Sequence, residues 1–350
     1  MPFTTEQLAY AGKHAIDYFL RNDPVDNINT ARPLLQFLMK NKQEYAGALQ
    51  YVVEQLRYQN DSNFQSYFGD SQVSFNRKRT LTQAKYAYGA FHDGFGLNED
   101  ELVQNGITMT DDRNAVPTDA ERIQLTNLLK ENTETLKLGM QEGLDLMLHR
   151  DGTQDTLAIP GLDSLVTTTP SANVDVGTIN QSTNTFWRNN ASLLTAQANL
   201  INVMEIQWRE CTRFGGSAPD FILVGDDFLD DYRIAAGLTI NREITNNKGV
   251  EKGGVTLDAS TTGVYFKGVE LVWDPVFDVL DAADNPTTPW SKRCYFLNSK
   301  HIKMRPIKGH WMVSRTPPRV YDRYTHYWGL TAKLALTTNK RNAMAVIGLD

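Results

Sequence analysis

Residues 117–150, PTDAERIQLTNLLKENTETLKLGMQEGLDLMLHR, keep one helical periodicity throughout. At 1.5 Å per residue such a segment makes a rod about 45 Å long, which is longer than a small domain is wide. Its apolar stripe is Leu125, Leu129, Leu136, Met140, Leu144 and Met147, while the rest of its surface is polar. Thr118 or Asp119 supplies the N-cap, acidic neighbours suit the positive end of the helix dipole, and Gly152 stops the helix. A rod with one narrow stripe has to lie along the side of a domain, and everything else in the chain must be arranged around it.

The segments before the rod are too small to stand alone. Leu8, Ala11, Ala15, Ile16 and Phe19 predict a short amphipathic helix over residues 4–20, and Leu34, Leu35, Leu38 and Met39 predict a second one. Val73 and Phe75, then Tyr86, Tyr88 and Ala90, alternate with polar residues. This predicts a two-stranded hairpin with a basic tip at Arg77, Lys78 and Arg79. Two strands alone are marginal in water, so the hairpin must lie on its own body or on another chain.

After the rod, residues 159–185 are dense in Ser, Thr, Asn and Gly and show no period, a length of irregular chain that is usually functional or disordered. They end in STNTFWRNN, where the ring of Trp187 reads as an anchor fastening the loop to a core, with a contact between chains as the alternative. A helix is predicted over residues 192–214, with Gly215 and Gly216 as its stop. From Pro219 the pattern turns α/β: FILV as a buried strand, a helix opened by Asp226 and Asp227, and a strand pair around Lys267 and Gly268. RCYFLNSKHIKMRP predicts another strand pair, and Trp328, Leu330, Ala332, Leu334 and Leu336 predict a long half-buried strand.

Composition excludes several classes. A hydrophobic share of 41% and a charged share of 22% over 350 residues predict a folded chain of roughly two domains. A net charge of -6 with a pI near 5.6 argues against a basic phosphate-gripping surface. Cys211 and Cys294 have no metal-ligand spacing and read as buried thiols in a reducing cytosol. No secretory signal and no run of about 18 apolar residues is present, so a soluble protein without a membrane partner is expected.

The residues offer little chemistry. The six histidines form no ligand motif, and Asp226, Asp227, Asp230 and Asp231 are accounted for by a helix dipole. GVEKGG at 249–254 reads as a flexible loop, His92-Asp93 lacks an acid/base setting, and no nucleophile has a recognisable base. Arg319 and Arg323 interleave with tyrosines in PPRVYDRYTHYW, a pattern that fits contact within or between chains better than nucleic-acid stacking. Neither enzyme activity nor a cofactor or metal is expected.

The order of these parts, with RPLLQFLMKNKQEYAGALQYVVEQLR, FQSYFGDSQVSFNRKR, AFHDGFGLNEDELVQNGI, IPGLDSLV and TFWRNN, closely resembles the major capsid proteins of tailed bacteriophages. The resemblance runs from about Arg32 to the C-terminus. It implies an α+β chain of the Hong Kong 97-type fold: an N-terminal arm (1–60), an E-loop hairpin (61–100), a P-domain (101–219) with a spine helix (118–150), an A-domain (220–315), and a C-terminal strand (316–350) returning to the P-domain.

Function follows by the same implication. Such a chain self-assembles as pentamers and hexamers into the icosahedral head of a tailed double-stranded DNA phage, in the host cytoplasm and then in the virion. Its partners would be itself, a separate scaffolding protein, a portal, a decoration or cement protein, and packaged DNA by proximity. With about 60 residues before the hairpin, no proteolytic trimming is expected. Lys78 and Lys85 lie in the hairpin, but nothing identifies a cross-linking acceptor. The arm helices and the hairpin are expected to pack on neighbours, with Arg77, Lys78, Arg79, Tyr86, Tyr88, Arg188 and Arg323 as candidate interface residues. The alternative is an encapsulin-like bacterial compartment of the same fold.

Overall fold

The computed structural model describes residues 32–47, 50–104, 107, 119–195, 199–215, 217–236, 250–252, 255–257, 264–318 and 324–349. The helix expected over residues 4–20 and the strip containing Arg319 and Arg323 lie outside them.

In chain order the described elements are α1 (Pro33–Lys40), β1 (Tyr51–Arg57), β2 (Leu81–Ala87), β3 (Gly89–Asn98), α2 (Glu99–Gln104) and α3 (Asp119–His149). Next come α4 (Leu162–Leu165), β4 (Asp175–Val176), β5 (Ile179–Asn180), a 3-10 turn (Thr185–Trp187), β6 (Asn190–Leu194) and α5 (Leu200–Arg213). Then follow β7 (Phe221–Val224), α6 (Asp226–Ala235), β8 (Val250–Lys252), β9 (Val255–Leu257), β10 (Val264–Phe266), β11 (Val269–Trp273) and α7 (Val276–Asp284). The chain closes with β12 (Arg293–Leu297), β13 (Ile302–Pro306), β14 (Val313–Arg315), β15 (Thr325–Thr338), a 3-10 turn (Arg341–Ala343) and β16 (Ala345–Leu349).

The rod α3 is 31 residues long. Its buried row is Leu125, Leu129, Leu136, Met140, Leu144 and Leu148; Leu148 takes the place expected of Met147, because a step of four from Leu144 continues the row. From Leu136 to Leu148 that row meets α1, the short helix α4 and the strand β15 in one core, while Leu125 and Leu129 pack with Leu97, Leu102, Ile107 and Trp328 in a smaller one. Gly161, just before α4, sits where an added Cβ would run into the carbonyl oxygens of Leu148 and Arg150. A residue without a side chain is therefore needed for the chain to pass the end of the rod.

β15 organises one sheet. Its residues Thr325 to Leu334 pair antiparallel with β3, while its other edge pairs with β13 and β14. Trp328, Leu330, Ala332, Leu334 and Leu336 are all buried, as their alternation predicts. Toward its end Ala335, Thr337 and Thr338 are buried as well. The β1–β2 hairpin lies against this end: Tyr86 Oη donates to the Thr338 carbonyl at 2.9 Å, and Thr337 Oγ1 donates to Glu54 at 3.3 Å.

The second sheet has the order β6-β16-β12-β7-β11-β10-β9-β8 and separates two cores. Phe221 and Leu223, with Tyr295 and Leu297, face the core of the rod; Ile222 and Val224, with Cys294 and Phe296, face α5 and α6. Strands covered on both faces read as continuous apolar runs, which is why FILV looked buried. At the β10–β11 turn Lys267 and Gly268 have φ of 49° and 81°, the paired left-handed conformation that closes a two-residue hairpin along the right-handed strand twist.

Five expectations are corrected. The hairpin strands are 51–57 and 81–87, and Val73 and Phe75 lie in the loop between them. Helix α1 packs into its own chain's core rather than on a neighbour: Leu34, Leu35 and Leu38 are fully buried, and Phe37 stacks on Phe221 at 4.4 Å. Residues 190–194 are a strand parallel to β16, with the helix starting only at Leu200. β12 and β13 are strands of different sheets and do not pair with each other. Residues 250–252 of the expected flexible loop form a strand paired with β9.

Candidate assembly surface

The loop between β1 and β2, residues 58–80, is a two-limbed ribbon held by side chains rather than by a strand ladder. At its base Tyr58 N donates to Thr80 O at 3.1 Å, and Arg79 N donates to Asp61 Oδ2 at 2.8 Å. Further out, Asn63 Nδ2 donates to the Ser74 carbonyl, and Ser74 Oγ returns a bond to Asn63 Oδ1 at 3.3 Å. At the tip Ser71 N and Oγ both donate to Phe68 O, at 3.1 and 2.7 Å, around Gly69 with φ +55°.

The rings of this ribbon touch almost nothing of their own chain. Phe64, Phe68 and Phe75 are 92%, 91% and 92% exposed, and Tyr67 is 72% exposed. Apolar rings gathered at such exposure on a bonded ribbon mark a surface meant to be covered. Arg77, Lys78 and Arg79 are exposed on the returning limb; the tip is Gly69-Asp70, not the basic triplet.

The other predicted residues fall elsewhere. Tyr86 is buried, and burial holds its phenol well above the usual range. Tyr88 is half-buried beside Tyr45, 6.0 Å ring to ring; burial pushes its phenol up to about 12, and its oxygen has no hydrogen-bond partner among the described residues. Arg188 donates from Nε to Gln181 O at 2.8 Å and from Nη2 to Ser182 O at 2.5 Å, so much of its fork is engaged inside its own loop.

Trp187 is 2% exposed and donates from Nε1 to Val176 O at 2.8 Å, which makes it the anchor that the sequence suggests. What ties the irregular segment together is a residue the sequence reading missed. Arg341 is fully buried, with Nε donating to Leu165 O at 2.7 Å. Its Nη1 donates to Gln181 Oε1 and Trp187 O, both at 3.0 Å, and its Nη2 to Asn189 Oδ1 at 3.1 Å and Ser164 O at 3.3 Å. Every acceptor is an uncharged oxygen, and burial lowers the guanidinium to about 10, still protonated near neutrality. A planar five-donor fork fits this set of diverging carbonyls.

A groove of about 660 Å³ opens at the foot of the hairpin, between residues 55–60, residues 185–190 and the turn after β15. Arg57, Arg188, His301 and Lys340 line it beside the rings of Phe186 and Phe214, and none of its lining residues is a carboxylate. Burial lowers the pKa of Lys340, whose Nζ donates to Phe214 O at 2.7 Å. Burial, with the charges of Lys340, Lys300 and Lys303, also lowers His301.

Among the described residues no group of three or more His, Cys, Asp and Glu is placed to hold a metal, and no helix is long and apolar enough to cross a membrane. Cys211 and Cys294 are free and buried, and burial raises both thiols.

No family model matches the chain, and no curated protein matches it either. Solved structures do. Over 91% of this chain and 92% of the other, it superposes on a chain of the cyanophage A-1(L) capsid asymmetric unit at TM-score 0.60 and 16% identity. A chain of the capsid of Myoviridae phage XM1 matches at TM-score 0.51 and 13% identity, over 90% and 92%. The holo-SrpI encapsulin of Synechococcus elongatus gives 0.44 at 12% identity, over 92% and 88%, a likeness too low to argue from. The chain therefore has the α+β fold of phage capsid subunits, the fold that the Hong Kong 97-type resemblance implies.

Proposed function

We propose that this chain is the shell-building subunit of a tailed-phage head, assembling with copies of itself as hexamers and pentamers around double-stranded DNA. The carrying observation is the 58–80 ribbon, whose rings stand out from a chain that shares its fold with phage capsid subunits over nine-tenths of its length. A monomer gains nothing by holding Phe64, Phe68 and Phe75 in water; a tiled shell covers them.

In this reading the ribbon lies in the E-loop (61–100), α3 is the spine of the P-domain (101–219), and β7 to β12 lie in the A-domain (220–315). Arg77, Lys78, Arg79, Arg188 and Arg323 stand as candidate contacts between copies. The role is structural rather than enzymatic, the place is the virion, and a scaffolding protein, a portal and a cement protein are its expected partners. The modest acidity suits a container, since a strongly basic lining would hold duplex by counterion release.

Electron microscopy of the purified chain, with and without a co-expressed scaffold, tests this reading. Closed shells are expected, with double-stranded DNA inside native particles. A chain that stays monomeric under both conditions overturns the reading, and native shells filled with a protein cargo instead of DNA would move it to a bacterial compartment.

A further inference from the structure

We infer that the groove at the foot of the hairpin is a binding site for an acidic peptide segment of a second protein. The inference deepens the shell-subunit reading, on which the identity of that protein as a partner of the particle rests. None of the groove's cations meets a carboxylate among the described residues. Arg188 directs its donors to the carbonyls of Gln181 and Ser182, Lys340 donates to the Phe214 carbonyl at 2.7 Å, and Arg57 makes no ion pair among the described residues. Elsewhere the chain pairs cations that leave the solvent: Arg150 with Asp284 at 2.9 Å, Arg293 with Asp163 at 3.0 Å and Arg305 with Glu54 at 2.6 Å.

A further charge stands behind the lining. Arg341 follows the groove residue Lys340 and donates to Trp187 O and Asn189 Oδ1, both on groove residues, and every oxygen it meets is uncharged. Burial holds the His301 imidazole below its usual value, and the charges of Lys340, Lys300 and Lys303 press it the same way. A carboxylate-free concavity thus gathers positive charge from several elements of a chain whose net charge is -6. A cleft walled by one sign of charge focuses its field on whatever enters it.

The lining also specifies what carries the negative charge. Phe186 and Phe214 place rings beside the cations, and Phe214 is 60% exposed. Asn342 Oδ1, shielded from solvent, has no hydrogen-bond partner among the described residues and asks for a donor. A phosphodiester backbone carries acceptors only, whereas a peptide brings one N–H per residue together with carboxylates and apolar side chains. A duplex is convex on its outside and does not enter a concavity of about 660 Å³, a volume that suits a few residues of extended chain.

The test uses the full chain in its unassembled form and, as probe, a fluorescent short peptide that alternates glutamate with phenylalanine. Wild type should bind it, and Arg57→Glu and Lys340→Gln should each weaken binding roughly tenfold. Asn342→Ala, which changes no charge, should weaken it several-fold. Lys308→Gln, at an exposed position outside the groove, should leave it unchanged. Arg57 is exposed, so Arg57→Glu should keep the wild-type melting temperature, which separates lost binding from lost fold.

An equal loss from Lys308→Gln means attraction to surface charge at large and overturns the site. A short oligothymidylate that binds more tightly than the peptide, with the same dependence on Arg57 and Lys340, makes the ligand a single-stranded nucleic acid and overturns it too. Subunits that build shells but do not bind the peptide remove the groove inference and leave the shell reading standing. Subunits that bind the peptide yet never assemble, with or without a scaffold, do the reverse.

Discussion

His149 Nε2 lies 3.0 Å from Asp274 Oδ2, with neither side chain exposed to solvent. On its other side His149 Nδ1 meets the Asp145 carbonyl at 2.8 Å and the Asp145 carboxylate at 3.6 Å. The rings of Phe277 and Trp290 close around the imidazole. The cluster fastens the last turn of α3 to the segment between β11 and α7, so it joins the rod to the second sheet.

This joint makes stability depend on pH. Burial opposes the charged imidazole, but the Asp145 and Asp274 carboxylates outweigh it and raise His149 from 6.5 to about 9. Its contribution is fully present below 6.5 and is lost as pH rises through 9. Asp145, raised by burial from 3.8 to about 6, has the same sign, with its contribution lost as pH rises through 6. Thermal melts of the unassembled subunit should therefore fall from pH 6.5 to 9.5. His149→Gln should flatten that slope and cost on the order of 3–5 kcal/mol near neutrality, because it leaves buried carboxylates unpaired.

Arg341→Met should lower subunit stability by about 3–5 kcal/mol in urea titrations. It strips donors from the carbonyls of Ser164, Leu165 and Trp187 and from the amide oxygens of Gln181 and Asn189, at buried positions where each unmet acceptor is costly. Arg341→Lys should recover little, since an ammonium cannot span five divergent oxygens.

Trp187→Ala removes a buried ring and the donor to Val176 O. A loss of about 3–5 kcal/mol is expected, with unstable or misassembled subunits. Normal shells at normal yield, counted by sedimentation and microscopy, would contradict the anchoring role.

Replacing residues 62–77 with a short Asn-Gly turn should leave the melting temperature of the subunit within a few degrees of wild type while abolishing shells. The cut belongs there because β2 and β3, from Leu81 to Asn98, are built into their own chain through the pairing with β1 and β15. Among the described residues the ribbon stands free of the body, and efficient shell formation without it would refute its role in assembly.

The rod, FILV, the Lys267-Gly268 turn, the alternating terminal strand and the Trp187 anchor were all legible in the amino-acid order. Each is set by a local period or by a backbone conformation that few residues adopt, and these act between near neighbours in the chain. Tertiary structure decided the rest. Asn190 to Leu194 carries helix-compatible spacing, yet it became a strand because β16, some 150 residues further on, offers it a parallel edge. The hairpin register depends on two runs separated by the whole ribbon and selected by what β15 and the rod can bury. Arg341 and His149 draw their meaning from groups between 4 and 177 positions away, the cationic groove joins Arg57 to Lys340 from opposite ends of the fold, and no periodicity can announce a partner that only folding brings near.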